Sequence, residues 1–116
     1  MKLPNIENAE VPKAKVVDYL LSPTHRDGRH KAAFFVQFGF EVAHWERLRG
    51  ALLKHAEDHE VTRTEVSPFG FRYVIEGTVQ APDGRNPQLR AVWIIGTDST
   101  IPRLATAYPL PEKNDA

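Results

Sequence analysis

The hydrophobic period of this chain changes once, just after Glu60, and no other feature limits its fold so strongly. Before that point apolar residues recur every three or four positions. Trp45, Leu48, Leu52 and Ala56 make one stripe, which predicts a helix near 43–58. Beyond it the period is two. Thr62, Thr64 and Val66 alternate with Val61, Arg63 and Glu65, and Phe71, Tyr73, Ile75, Gly77 and Val79 share one face of a long second strand. Leu89, Ala91, Trp93 and Ile95 do the same in a third strand, whose apolar residues on both faces suit a central position. A last strand falls near 103–108. Ser67-Pro68-Phe69-Gly70, the stretch 81–87 and the stretch 96–100 have the composition of turns.

Upstream, Val16, Val17, Leu20 and Leu21 mark a short helix that Ser22-Pro23 should stop. A second helix is expected over roughly 30–38, with Phe34, Phe35 and Phe38 inward, Asp27 as its cap and Gly39 just past its end. The expected fold is therefore α+β, with three N-terminal helices packed on a four-stranded antiparallel meander sheet. Residues 1–13, polar and carrying Pro4 and Pro12, read as an arm against the body. Residues 14–110 read as one domain and 111–116 as a polar tail.

Composition narrows the chemistry. The absence of cysteine excludes disulfides, thiol catalysis and cysteine-bound metal. No N-terminal apolar run follows Met1-Lys2 and no apolar stretch is long enough to span a bilayer, so a cytoplasmic protein without membrane contact is expected. Fifteen Lys and Arg balance fifteen Asp and Glu, which argues against an extended DNA-binding surface. A small phosphate site is compatible with neutrality, because charge can be concentrated locally.

Such a concentration occurs between Leu21 and Phe35, where His25, Arg26, Arg29, His30 and Lys31 surround a Pro- and Gly-marked turn before the second helix. Free backbone N–H groups at a helix start attract anions, and Arg or Lys side chains add charge-assisted contacts. Histidine is the side chain best suited to move protons near neutral pH, so His25 and His30 are candidate acid and base. The plain alternative is a solvated basic loop in which Asp27 caps the helix. Arg90 shares its strand face with Val92 and Ile94, company in which an arginine has either an internal carboxylate or a ligand as partner. Thr106 and Tyr108 share a face of the last strand, with Arg103 on the other. His55 and His59 stand at i and i+4, but the spacing of Glu57 departs from zinc-helix patterns and no third ligand is near. A surface or partly packed pair is expected, ahead of a metal hydrolase.

The runs Asp18-Tyr19-Leu20-Leu21-Ser22-Pro23-Thr24-His25, Gly28-Arg29-His30-Lys31-Ala32-Ala33-Phe34-Phe35, Gly39-Phe40, Pro82-Asp83-Gly84, Val92-Trp93 and 102–109 resemble an uncharacterised bacterial family, DUF6883. Its members occur as small proteins and at the ends of large secreted polymorphic toxins. Ser22 replaces the usual Asn, and His30 stands where a small polar residue is common, so the resemblance favours His25 and Lys31 over His30. The order of elements also looks like the barnase, EndoU and RelE-type ribonuclease toxins, an analogy of fold. Together these resemblances imply a metal-independent, cofactor-free endoribonuclease of toxin type, cleaving RNA by attack of the 2′-hydroxyl. His25 and His30 would be acid and base, Lys31 and Arg90 would stabilise the phosphoryl charge, and Thr106 would orient an oxygen. The expected partners are RNA and a small neutralising protein. The alternative is a non-catalytic protein-interaction module of a toxin–antitoxin or polymorphic-toxin system. Separation of these side chains by more than about 10 Å would favour it, since acid–base partners must sit near hydrogen-bond reach of a substrate.

Overall fold

The alternating half of the chain folds as four strands, β1 (Val61–Ser67), β2 (Gly70–Thr78), β3 (Gln88–Gly96) and β4 (Arg103–Pro109), paired antiparallel in that order. The computed structural model describes residues 1–110, so the tail expected over 111–116 lies outside the described residues. The helical half supplies α1, an α turn at Lys13–Lys15 that widens into a π turn over Val16–Leu20. It also supplies α2 (Arg29–Gln37) and α3 (Trp45–Asp58), the latter led in by a 3-10 turn at Val42–His44. The fold is α+β: three helices on a four-stranded antiparallel sheet.

Register explains which strand face is covered. Tyr73 pairs with Trp93, Ile75 with Ala91 and Gly77 with Leu89, so the alternation of both strands falls on one side. That side meets Val16, Leu20, Phe35, Leu48, Leu52 and Ala56 in one core. Each large apolar side chain buried there contributes about 1.5–3 kcal/mol. The opposite face is a lattice of charges: Glu76, Arg90 and Tyr108 lie in one cross-strand row, and Glu65 takes both Arg63 and Arg72. Val74 and Val92 are buried beneath them.

Three details depart from the pattern expected of the sequence. Between Val92↔Thr106 and Trp93↔Leu104, β4 carries one extra residue, Ala105. This bulge returns Arg103 to the register face of Thr106 and Tyr108 instead of the opposite one. His55 is no surface residue: it is 1 % exposed, and its Nε2 lies 3.2 Å from the Gly77 carbonyl and 3.1 Å from that of Leu89. Only a donor satisfies two carbonyls, so Nε2 carries the proton. Burial first, then the neighbouring His59, hold the imidazole down to about 4. Finally, residues at the N-terminus are built into the core. Leu3 and Val11 are buried, and Glu10 pairs alongside Arg103 through bonds to Pro102 and Leu104.

The two ends of α2 are held differently. At its C-terminus Gly39 (φ 100°) lets its own N–H reach the Val36 carbonyl and that of Phe40 reach Phe35. This double bond pattern closes the helix, and the Phe35 and Phe40 rings pack 5.8 Å apart beside it. The Pro82-Asp83-Gly84 turn then docks there: Arg85 donates to the Gln37 carbonyl, pairs with Asp83 and covers the Phe38 ring. Its N-terminus forms the candidate site.

Candidate functional site

The turn between α1 and α2 is built by side chains that stand in for backbone. Ser22 Oγ accepts the His25 N–H at 3.1 Å. The His25 Nδ1 in turn accepts the N–H groups of Asp27 and Gly28, both at 3.0 Å. Asp27 does not cap α2; no side chain does, and its carboxylate lies 3.5 Å from Arg26 instead. The histidine two residues before Asp27 instead holds the two amides just ahead of the first helical residue, Arg29. Gly28 is there for closeness: a Cβ at this position would stand 2.1 Å from the Tyr19 carbonyl oxygen.

That close approach seats α2 against Tyr19, and the site converges on this phenol. The Tyr19 hydroxyl and Thr106 Oγ1 are 3.1 Å apart. The His25 ring meets Tyr19 edge-on, with centroids 5.0 Å apart. Lys15 and Lys31 place their ammonium groups 5.0 and 5.2 Å from the ring centroid, and Lys31 also donates to the Asp27 carbonyl. Burial pushes the phenol up, but the Thr106 hydroxyl and the charges of Lys31 and Lys15 outweigh it and hold Tyr19 below the ordinary tyrosine value. Tyr19, His25, Lys15, Asp18 and Asp27 line an open groove of about 540 Å³ that Ala105 closes from β4.

Of the residues expected from sequence, His25, Lys31 and Thr106 therefore meet on Tyr19. His30 is exposed and lines the next groove along β4 with Lys31, Tyr108 and Pro109. Arg90 does not reach Tyr19. It is ion-paired with Glu76 and touches the Tyr108 hydroxyl at 3.4 Å, and both partners hold its charge in place. The residue that sequence reading passed over is Tyr19 itself. Its signal was one polar-tipped aromatic in the run Val16-Val17-Asp18-Tyr19-Leu20-Leu21, otherwise aliphatic apart from Asp18.

His25 has lost one kind of freedom. With Nδ1 accepting two amides, the imidazole proton sits on Nε2, which faces no protein partner among the described residues. That nitrogen is thus a donor and has no lone pair to take a proton. Among the described residues no three His, Asp or Glu side chains gather as a metal site, and the Nε2 atoms of His55 and His59 are both directed at backbone carbonyls.

The model of the domain of unknown function DUF6883 matches residues 2–111 of the chain. The chain belongs to the DUF6883 family. No curated protein sequence matches it. Among solved structures, the fold is shared with a chain of the contact-dependent growth inhibition toxin–immunity protein complex from Klebsiella pneumoniae 342. The TM-score is 0.68 at 18 % identity, over 91 % of this chain and 97 % of that one. This DUF6883 domain thus shares its fold with one chain of a toxin–immunity protein complex. No helix of the described residues is long and apolar enough to cross a membrane.

Proposed function

We propose that this domain is one half of a two-protein, toxin–immunity-type system, bound by a small protein partner, and that it engages RNA through the Tyr19 groove. The observation that carries the reading is the meeting of Lys15, His25, Lys31 and Thr106 on one phenol. It supports phosphate binding: the Lys15 and Lys31 ammonium groups and the His25 Nε2–H are donors without carboxylate partners among the described residues, with Lys15 and His25 lining one open groove and Lys31 the next.

In a cleaving domain the ribose 2′-oxygen would bond to phosphorus as the bond from phosphorus to the 5′-oxygen breaks. Tyr19 in its phenolate form would take the 2′-hydroxyl proton, and the Lys31 ammonium would give one to the leaving 5′-oxygen. His25 would donate to a phosphoryl oxygen, and Thr106 would orient the phenol. Arg90, neutralised by Glu76, would act only through Tyr108, and His30 would sit at the rim.

The non-catalytic form of the proposal, an interaction module, is favoured by two observations. His25 lacks the lone pair that a histidine base needs, and the similar solved chain comes from a complex of two proteins. The test incubates pure protein with labelled single-stranded RNA in EDTA, beside a matched DNA. Fragments with cyclic phosphate ends, lost in Tyr19→Phe, establish cleavage. Intact RNA across a broad pH range, together with a one-to-one complex with the small protein encoded beside it, establishes the module. Absence of that complex removes the toxin–immunity reading.

A further inference from the structure

The Tyr19 groove has a neighbour across α1. Beyond Pro12 a second groove is lined by Glu10, Val11, Arg49, Leu53 and Arg103. Arg49 of this lining lies 4.3 Å from the centroid of the Trp45 ring, and Lys13 lies 5.4 Å from it. The short α1 turn is a saddle between the two. Lys13 reaches one way to Trp45, and Lys15 reaches the other way to Tyr19.

Among the described residues, most of the cations without a carboxylate partner lie on this side of the molecule. Arg63, Arg72, Arg85, Arg90 and Lys54 all have carboxylate partners. Arg29, Arg47, Lys13, Lys15, Lys31, Arg49 and Arg103 have none among the described residues; of these, Lys15 lines the first groove, Arg49 and Arg103 line the second, and Lys31 and Lys13 lie over the rings of Tyr19 and Trp45. Of the carboxylates on the same walls, Asp27 faces Arg26, which leaves Glu10 and Asp18. A chain of zero net charge therefore holds a local excess of unpaired cations on α1, α2, α3 and the first residue of β4, beside the run of β4 from Arg103 past Ala105 to Tyr108. Five strand steps make about 17 Å, longer than one nucleotide. Two half-buried aromatic rings, Tyr19 in the first groove and Trp45 against Arg49 of the second, are the pattern of a surface that stacks successive bases and follows a backbone.

We infer that the grooves on either side of α1 form one track for single-stranded RNA, with Trp45, Arg49 and Arg103 as a second nucleotide subsite. This rests on the reading of the Tyr19 groove as an RNA site and adds to it a ligand class and a direction. The strand lies along β4 and needs both ends of the track.

The test measures anisotropy of a fluorescein-labelled 2′-O-methyl RNA dodecamer, which cannot be cleaved, and of the matching dinucleotide, in salt from about 50 to about 200 mM. The dodecamer slope of log affinity against log salt should be about −3, as expected for four to five neutralised phosphates on a single strand. Arg103→Gln, an exposed change, should weaken the dodecamer several-fold and flatten the slope by about 0.7, leaving the dinucleotide unchanged. Trp45→Leu should weaken the dodecamer as well, and Lys31→Gln should weaken both ligands. If Lys31→Gln weakens binding while Arg103→Gln and Trp45→Leu do not, the second subsite is overturned and the Tyr19 reading stands. If the dodecamer fails to bind, both fall. Competition by polyglutamate as effective as by unlabelled RNA, charge for charge, overturns the nucleic-acid assignment in favour of an acidic protein.

Discussion

His25 and His55 solve the same problem with opposite ring nitrogens. His55 donates one N–H between two strand carbonyls at the centre of the core, whereas His25 accepts two backbone N–H groups at the surface. Both rings are fastened to main chain. The difference lies in what each leaves over: His55 keeps a buried Nδ1 without a partner, and His25 keeps an Nε2–H beside a groove. A histidine in a cationic loop is therefore no more a base by position than one in a core is a ligand. What decides its chemistry is which nitrogen the backbone has already taken.

The contrast can be broken in several places. The largest effect is expected of Gly28→Ala, whose Cβ would collide with the Tyr19 carbonyl and pry α2 off the phenol. A loss of about 4 kcal/mol in urea denaturation is expected, with disappearance of the Tyr19–Thr106 contact. Next is the pH dependence set by His55. Its native value of about 4 lies below the 6.5 of an unfolded histidine, so the unfolded chain binds the proton first as pH falls. Stability is full above about pH 6.5, declines down to about pH 4 by up to about 3 kcal/mol, and levels off below. A His55→Leu variant that kept the same decline would assign it to other groups.

Smaller effects belong to His25. Replacing it by Phe removes the acceptor for two amides and should cost about 1.5 kcal/mol, while Asn, whose Oδ1 can accept both, should stay near the parent. Equal losses in the two variants would show that ring packing on Tyr19, and not the Nδ1 bonds, is what His25 supplies. The smallest effect is spectroscopic. The phenolate absorbance of Tyr19, identified by its loss in Tyr19→Phe, should titrate below that of free tyrosine. It should move upward in Lys31→Gln and, separately, in Thr106→Val. An unmoved titration would remove the electrostatic link between α2 and β4.

Much of the architecture was legible because it is periodic. The switch at Glu60 placed the sheet after the helices, and Gly39 and Ser67-Pro68-Phe69-Gly70 marked a helix end and a turn by their own backbone requirements. What escaped were features that depend on one residue or on a distant partner. The Ala105 bulge shifts β4 by a single position, which alternation cannot register, and so Arg103 was set on the wrong face. His55 and His59 read as a surface or partly packed pair, and the full burial of His55 comes from partners its spacing does not register, the Gly77 and Leu89 carbonyls of β2 and β3. Tyr19 went unassigned because, Lys15 apart, the groups around it come from elsewhere: Thr106 from β4, Lys31 from α2, His25 from the turn.

The π turn in α1 carries a consequence for how this segment can vary. Leu21 bonds back to Val16, five residues earlier, so Val16–Leu20 holds one residue more than an ordinary helical turn would. Deleting Val16, Val17 or Asp18 would leave a better helix and keep the sequence motif almost intact. Each residue in a helix turns the next by about 100°, and the phenol would swing away from Thr106 by that angle. Related chains that keep the groove are therefore expected to tolerate substitutions between Lys13 and Ser22 far better than a change in the number of residues there.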